Sequence, residues 1–241
     1  MHIALITGAS RGIGKAIAEQ LSSDGFYVLI NYRTNKEAAE ETLNKIKAAG
    51  GSGELLPFDV SDSQQVQEVL ENWKEKNPDR YIDILVNNAG INRDNLMVFM
   101  TDPEWNQVIN TNQNSFFYVT RSLLKEMIVH KYGRIINVVS LSGLRGLPGQ
   151  VNYSASKGAV IAASKSLSQE VAKKRITVNC VAPGYIKSDM TDDLDEKKLK
   201  KMVPMNRFGT PEEVAYVVSF LASERASYTT GEVISINGGI Y

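Results

Sequence analysis

The sequence predicts an α/β fold built on one doubly wound parallel sheet, and two observations carry that expectation. Apolar runs of strand length recur at residues 2–7, 26–32, 54–58, 82–87, 134–140, 176–182 and 232–236, with helical patterns filling the gaps. Strict alternation of this kind implies right-handed βαβ crossovers, hence parallel strands with helices on both faces. The first run also ends in a glycine-rich turn that opens a helix, an arrangement suited to holding phosphates. No linker or repeat interrupts the series, so the 241 residues are expected to form a single domain with a well-buried sheet.

Taken in order, the first strand, Ile3–Ile6, runs into Thr7-Gly-Ala-Ser-Arg-Gly-Ile-Gly14 and then into the helical pattern Lys15–Leu21. Gly8 permits a tight turn, Gly12 lets the backbone approach a pyrophosphate, and Gly14 lets the helix pack closely on the strand. Ser10, Arg11 and Ile13 stand in the same loop as candidate nucleotide contacts. Beyond it, the helix N-terminus offers free N–H groups and a partial positive charge. A lone glycine triplet is weak evidence; flanked by strand and helix, it is strong.

The second strand, Phe26–Tyr32, ends eighteen residues after Gly14, where a dinucleotide site places the group that reads the adenosine ribose. An NAD site wants Asp or Glu there. This chain has Tyr32 followed by Arg33, with Arg11 in the glycine loop, and two guanidinium groups fit a 2′-phosphate that a carboxylate would repel. NADP(H) is therefore the expected cofactor, against the plainer reading of two solvated surface arginines. Pro57 in the third strand cannot donate to a ladder, so that strand belongs at an edge, as in the order 3-2-1-4-5-6-7. Ligands bind outside the carboxyl ends of such strands, and Gly8, Asp59, Asn87, Ser140 and Pro183 all fall there.

The fifth run ends at Ser140, and thirteen residues on come Tyr153 and, four later, Lys157. Four residues is about one helical turn, so the phenol and the ammonium project from one face. A cation beside a phenol stabilises phenolate and is expected to lower its pKa from near 10 towards neutrality. Such a Tyr is a general acid for a carbonyl oxygen, and Ser140 can hydrogen-bond the same oxygen. Alone, Y-x-x-x-K would be an ordinary amphipathic helix. Asn112 lies inside the helical pattern that opens at Thr101-Asp-Pro-Glu-Trp105, where Asn is a poor former and is usually just an exposed polar position.

Composition bounds the rest. Lys plus Arg and Asp plus Glu each total 27, so no bulk charge draws the chain to nucleic acid or a membrane. Cys180 is the one cysteine, set in an apolar run, which excludes an internal disulfide and suits the cytosol. His2 and His130 lack acidic or thiol neighbours at ligand spacing, so no metal site is expected. The first strand begins within three residues of Met1, leaving no room for a signal peptide, and no apolar run reaches membrane-spanning length; a cytoplasmic protein is expected. The run Asp192–Lys201 mixes signs, which favours a solvated helix or mobile lid over a charged binding tract.

Thr7-Gly8-x3-Gly12-x-Gly14, Asp59-Val60, Asn87-Asn88-Ala89-Gly90, Asn112, Ser140, Tyr153-x3-Lys157 and Pro183-Gly184 come in the order and spacing of the short-chain dehydrogenase/reductase family, which the chain resembles from residue 1 to 241. The resemblance implies a Rossmann-type domain in which 1–90 mainly binds the dinucleotide and 91–241 carries catalysis and substrate binding, with a mobile lid at about 188–210. It implies that Asn112 distorts its helix and holds a water relaying protons to Lys157, and that Lys157 also binds the nicotinamide ribose. Asp59 and Val60 would meet the adenine, Asn88, Ala89 and Gly90 would support its ribose, and Pro183, Gly184, Ile186 and Ser188 would line the nicotinamide. Gln113 and Asn114 depart from the family, which usually has Leu and a small residue there.

Within the family the chain looks most like the 3-oxoacyl-acyl-carrier-protein reductases of bacterial fatty-acid synthesis, on Gly90–Leu96, Gln150–Tyr153, Ile176–Asn179, Ala182–Met190, Pro204–Gly209 and Asn237–Tyr241. The resemblance then implies reduction of a 3-oxoacyl thioester on acyl carrier protein to the (3R)-alcohol, with hydride from the pro-S face, by a homotetramer. Lys131 and Lys174 fall where such reductases carry basic residues that contact the acidic carrier near the site mouth; they equally suit helix C-termini. Phe99 stands where these enzymes often have Arg. An acetoacetyl-CoA reductase, or a ketoreductase of a polyene or polyketide pathway, would share every motif. A non-catalytic NADP-binding sensor is disfavoured because all four catalytic positions are kept.

Overall fold

The computed structural model describes residues 1–188 and 195–241. Among them a seven-stranded, all-parallel sheet runs in the order β3-β2-β1-β4-β5-β6-β7, as the sequence predicts. The strands are β1 (Ile3–Ile6), β2 (Tyr27–Tyr32), β3 (Ser52–Pro57), β4 (Ile84–Asn87), β5 (Gly133–Val138), β6 (Ile176–Pro183) and β7 (Val233–Ile236). β3 starts two residues before its apolar run, because Ser52 and Gly53 extend it beside β2; a Cβ on Gly53 would lie 2.4 Å from the Val28 carbonyl oxygen. Pro57 does sit on the edge strand, paired with Tyr32.

Side chains alternate across the sheet and bury two layers. Ala4 and Ile6 face a core closed by α1 (Gly12–Ser23), α2 (Lys36–Ala48) and α9 (Pro211–Ala222). Ile3 and Leu5 face the opposite one, closed by α3 (Ser63–Lys76), α5 (Ser115–His130) and α7 (Val151–Val171). The shorter helices are α4 (Asp102–Ile109), α6 (Leu141–Arg145) and α8 (Glu196–Leu199). Helix starts follow local chemistry: Asn35 caps α2, Asp62 caps α3, and Thr101 with Glu104 forms a capping box on α4 with Pro103 in its first turn.

These crossovers bring the loops after β1, β3, β4, β5 and β6 to one edge of the sheet. The second half of the expected lid is firmly packed there: Val203 and Phe208 are buried, Phe208 stacks on Tyr185, and Met205 N–H donates to the Gly238 carbonyl. Residues 189–194 of that lid, including the first acids of the Asp192–Lys201 run, lie outside the described residues.

Candidate active site

The glycine turn is shaped by its neighbours. Gly8 and Gly12 take φ of +62° and +55°, which only glycine adopts freely. A Cβ at Gly14 would come within 2.3 Å of the Gly8 carbonyl oxygen and 2.5 Å of Asn88 Nδ2, so α1 could not seat against the turn with any other residue. Thr7 Oγ1 accepts the backbone N–H groups of Asn88 and Ala89 at 2.9 and 3.0 Å, and Asn88 Nδ2 donates to the carbonyls of Thr7 and Gly8. Asn88 is therefore more than a turn residue: it ties the loop after β4 to the glycine turn.

Asn31, which the sequence reading did not single out, does the same from the other side. Its Oδ1 accepts Gly8 N–H at 3.1 Å, and its Nδ2 donates to the carbonyls of Leu56 and Phe58. One buried amide thus fixes the glycine turn relative to the end of β3, where Asp59 and Val60 follow. The available signal was a polar residue inside an apolar strand run.

At the adenosine corner Arg33 Nη1 lies 3.8 Å from Asp59 Oδ2, while Asp59 Oδ1 accepts from both the N–H and the hydroxyl of Ser61. Arg33 is exposed, and so is Arg11, the residue preceding α1. Tyr32 is buried in the core beneath them, Val60 is buried too, and Ile13 packs on the core from the glycine loop. The corner presents two cations, with the Asp59 carboxylate facing Arg33, and Gly12 keeps open backbone with Ser188 across from it, its Cβ 3.8 Å from where a Gly12 Cβ would be. These residues fit a dinucleotide. The Ser10 carbonyl accepts from Thr42, closing the loop against α2.

The catalytic candidates converge between β4, β5 and the N-terminal half of α7. Ser140 caps α6, its Oγ accepting Ser142 N–H at 3.1 Å. Lys157 is buried and donates from Nζ to the Val138 carbonyl at 2.9 Å, with Nζ 5.7 Å from the centre of the Tyr153 ring. Asn112 sits in a five-residue π-turn, Asn110–Asn114, between α4 and α5. Its side chain accepts Ile91 N–H at 2.8 Å and donates to the Ile91 carbonyl and to Ser156 Oγ, so the helix widens to turn a buried amide inward. Ser156 in turn donates to the Tyr153 carbonyl.

The electrostatics differ from the sequence expectation. Burial pushes the Tyr153 phenol up to about 12, partly offset by a hydrogen bond with Ser140 and reinforced by the Asp94 carboxylate. Burial also lowers Lys157 to about 8. The physical reason is desolvation: the phenol is buried, and the ammonium that was to lower it is itself desolvated and tied to the Val138 carbonyl. Near neutral pH both groups are therefore protonated, the state an acid and its supporting cation need. Behind them, Asn87, Asn137 and Ser164 form a buried amide and hydroxyl chain, and Cys180 is a buried free thiol pushed up to about 11 by burial.

On the far side, Pro183 ends β6 and Gly184 packs on Asn237, where a Cβ would lie 2.8 Å from that residue's own. Ile186 is buried and bridges to Gly209. Ser188 faces the glycine turn. These segments follow β6 at the same carboxyl edge of the sheet as the glycine turn.

Lys131 and Lys174, expected near the site mouth, stand at the other end of the sheet within one chain. They precede β5 and β6, whose opposite ends lead to Ser140 and carry Pro183. A rise of about 3.3 Å per residue puts them on the order of 20 Å from the cleft in the same chain. Gly133, two residues after Lys131, pairs with Ile176, two after Lys174, so the two lysines lead into neighbouring strands. Among the described residues no cluster of acids, thiols and imidazoles could hold a metal ion.

Comparison with known proteins agrees with this geometry. The family model for short chain dehydrogenase matches residues 2–199. The chain is 44% identical to 3-oxoacyl-acyl-carrier-protein reductase FabG of Staphylococcus aureus, covering 99% of this chain and 97% of that one. It is 46% identical to the FabG of Haemophilus influenzae, covering 99% and 98%. Among solved structures it matches a chain assigned as a gluconate dehydrogenase from Agrobacterium tumefaciens, with a TM-score of 0.95, 32% identity and coverage of 99% and 95%.

Proposed function

The chain belongs to the short-chain dehydrogenase/reductase family, and from that premise we propose that it reduces a 3-oxoacyl thioester on acyl carrier protein to the (3R)-3-hydroxyacyl thioester with NADPH, in fatty-acid synthesis. It is an oxidoreductase acting on a ketone and alcohol pair. The observation that carries the reading is the convergence of Asn112, Ser140, Tyr153 and Lys157 beside a glycine turn whose adenosine corner presents Arg11 and Arg33.

The glycine turn and the N-terminus of α1 would hold the pyrophosphate, Arg11 and Arg33 the 2′-phosphate, Asp59 and Val60 the adenine, and Asn88, Ala89 and Gly90 its ribose. Pro183, Gly184, Ile186 and Ser188 would border the nicotinamide. The dinucleotide supplies hydride when bound. Ser140 donates a hydrogen bond to the ketone oxygen and orients it. Tyr153 delivers its phenolic proton to that oxygen; even at a pKa of about 12 the phenol is a stronger acid than the alcohol formed. Lys157, positively charged below about pH 8, stabilises the phenolate left behind and binds the ribose. Asn112 supports return of a proton along the wall it shares with Lys157.

A polar sugar acid, suggested by the gluconate dehydrogenase likeness, suits the mouth poorly. Leu96, Met97, Val98 and Phe99 follow one another exposed on the loop after β4, an apolar rim matched to an acyl chain. No described helix is long and apolar enough to cross a membrane, and we place the enzyme in the cytoplasm as a homotetramer. Exposed Phe117 on α5 and Tyr216 and Phe220 on α9 support assembly. Side-by-side turnover of carrier-protein and CoA thioesters, each with NADPH and NADH, tests the reading: the carrier thioester with NADPH should give the highest kcat/KM. Preference for the CoA thioester would favour an acetoacetyl-CoA reductase instead.

A further inference from the structure

The loop between β4 and α4 is sewn to the segment leading into α7. Asn95 N–H donates to the Gly149 carbonyl at 2.8 Å, and Asn152 Nδ2 reaches back to the Arg93 carbonyl at 2.9 Å. Between these two anchors Asp94 Oδ2 accepts from Gln150 Nε2 at 2.7 Å. A carboxylate offers only acceptors, which settles the Gln150 amide: its NH2 faces Asp94 and its Oε1 faces Ser142. Ser142 is buried, gives its hydroxyl proton to Gln150 Oε1 at 2.8 Å, and gives its backbone N–H to Ser140 Oγ at 3.1 Å. A continuous chain of hydrogen bonds therefore runs from an exposed carboxylate on the loop to the hydroxyl at the centre of the cleft.

We propose that Asp94, acting through Gln150 and Ser142, is a positioning residue for the reduction assigned above, on which this inference rests. It holds Ser140 Oγ as the acceptor of Ser142 N–H, so that the Ser140 hydroxyl proton is left for the ketone oxygen. Anchoring of the loop does not require this: Asn95 and Asn152 anchor it through backbone groups on either side of Asp94. What Asp94 adds is direction. Without an acceptor at that end, the Gln150 amide can turn its NH2 to Ser142, where it competes with the Ser142 proton and releases the turn that carries Ser140. Substrate presents its ketone oxygen to two donors at once, Ser140 and Tyr153, so displacement of one by a fraction of an ångström lowers the rate while leaving nucleotide binding alone.

A double-mutant cycle separates this from a merely structural role. Q150E sets a second carboxylate against Asp94, which drives the side chain off Ser142; kcat on a 3-oxoacyl thioester should fall about tenfold or more, with KM for NADPH unchanged. D94N keeps an acceptor oxygen and should stay within about twofold of wild type. In D94N/Q150E the new amide donates to the new carboxylate, which again accepts from Ser142, and kcat should return towards wild type. Crystal structures of wild type and Q150E give a readout independent of substrate: Ser140 Oγ should leave Ser142 N–H in Q150E. A double variant no better than the product of the two single effects, or a Q150E structure with Ser140 unmoved, would overturn the proposal. A wild-type enzyme inactive on 3-oxoacyl thioesters would instead overturn the assigned reaction, with the Ser140 displacement still deciding the positioning role.

Discussion

The Asn112 carboxamide and the Lys157 ammonium border the same point of the cleft wall: a Cβ added at Gly90 would stand 3.2 Å from Asn112 Oδ1 and 3.4 Å from Lys157 Nζ. Neither neighbour is free to retreat, since the amide is bound to both backbone groups of Ile91 and the ammonium to the Val138 carbonyl. Gly90→Ala should therefore shift the pair by a few tenths of an ångström and lower kcat by about three- to tenfold, less than the loss from a full ångström of misplacement. Steady-state kinetics beside a thermal melt would check it. A kcat equal to wild type would mean that Nζ yields without consequence for the proton path.

Tyr153→Phe removes one acidic proton and little volume. Ketone reduction should drop by about 10²–10⁴-fold, the usual contribution of general acid catalysis, while NADPH binding followed by fluorescence stays near wild type. Retention of more than about a tenth of kcat would assign the acid to another group.

Lys157 gives the pH dependence its sign. Below about 8 it is charged and the phenol, at about 12, holds its proton, so both groups are in the state reduction needs. As pH rises through about 8 the ammonium is lost first, and reduction should slow along a single alkaline limb centred there. The contribution to stability runs the other way. Between about 8 and the unfolded value of 10.5 the unfolded chain binds the proton that the buried Lys157 does not, so the penalty of burying this group fades and stability rises with pH across that window. A kcat profile flat to pH 10 would remove Lys157 from the mechanism.

Legibility followed local chemistry. The strand runs, the glycine turn, the edge position of β3 and the nearness of the catalytic candidates could be read from the sequence because each depends on spacing along the chain. The partners of Asn31, Ser142, Gln150 and Asp94 could not, because each lies 8 to 56 residues away. The expected fall in the Tyr153 pKa failed for a related reason: a four-residue spacing shows that Lys157 is near, but not that its ammonium is bound to Val138 or how deeply both groups are buried.

For the cofactor, Arg33→Ala should raise KM for NADPH by about ten- to a hundredfold, the range of one charge-assisted hydrogen bond, and leave KM for NADH nearly unchanged. Arg33 is the better target because Tyr32 is 8% exposed, and an Asp there would bury a charge and confound selectivity with stability. The comparison needs binding as well as turnover. If 2′,5′-ADP and 5′-AMP bind the wild-type protein equally well, the arginines do not read a 2′-phosphate.

The carrier protein poses the hardest geometry. Lys131 and Lys174 stand at the N-terminal ends of the neighbouring strands β5 and β6, with Lys131 in a left-handed conformation at φ 53° and Arg175, next to Lys174, at φ 57°. An acidic carrier docked there is on the order of 20 Å from the cleft of the same chain, so the contact would serve that cleft only across the length of the sheet, or another copy's cleft within the assembly. Either way the attraction is a rim one, screened over about 8 Å at physiological salt. Activity on carrier-bound substrate should then fall as salt rises, while activity on a short soluble thioester changes much less. K131E/K174E should raise KM for the carrier-bound substrate and flatten its salt dependence, sparing the soluble analogue because the catalytic groups are untouched. Equal losses on both substrates would give the lysines a role in folding or assembly. No loss on either would leave them as cations that favour helix C-termini, and would move the substrate assignment towards a CoA thioester.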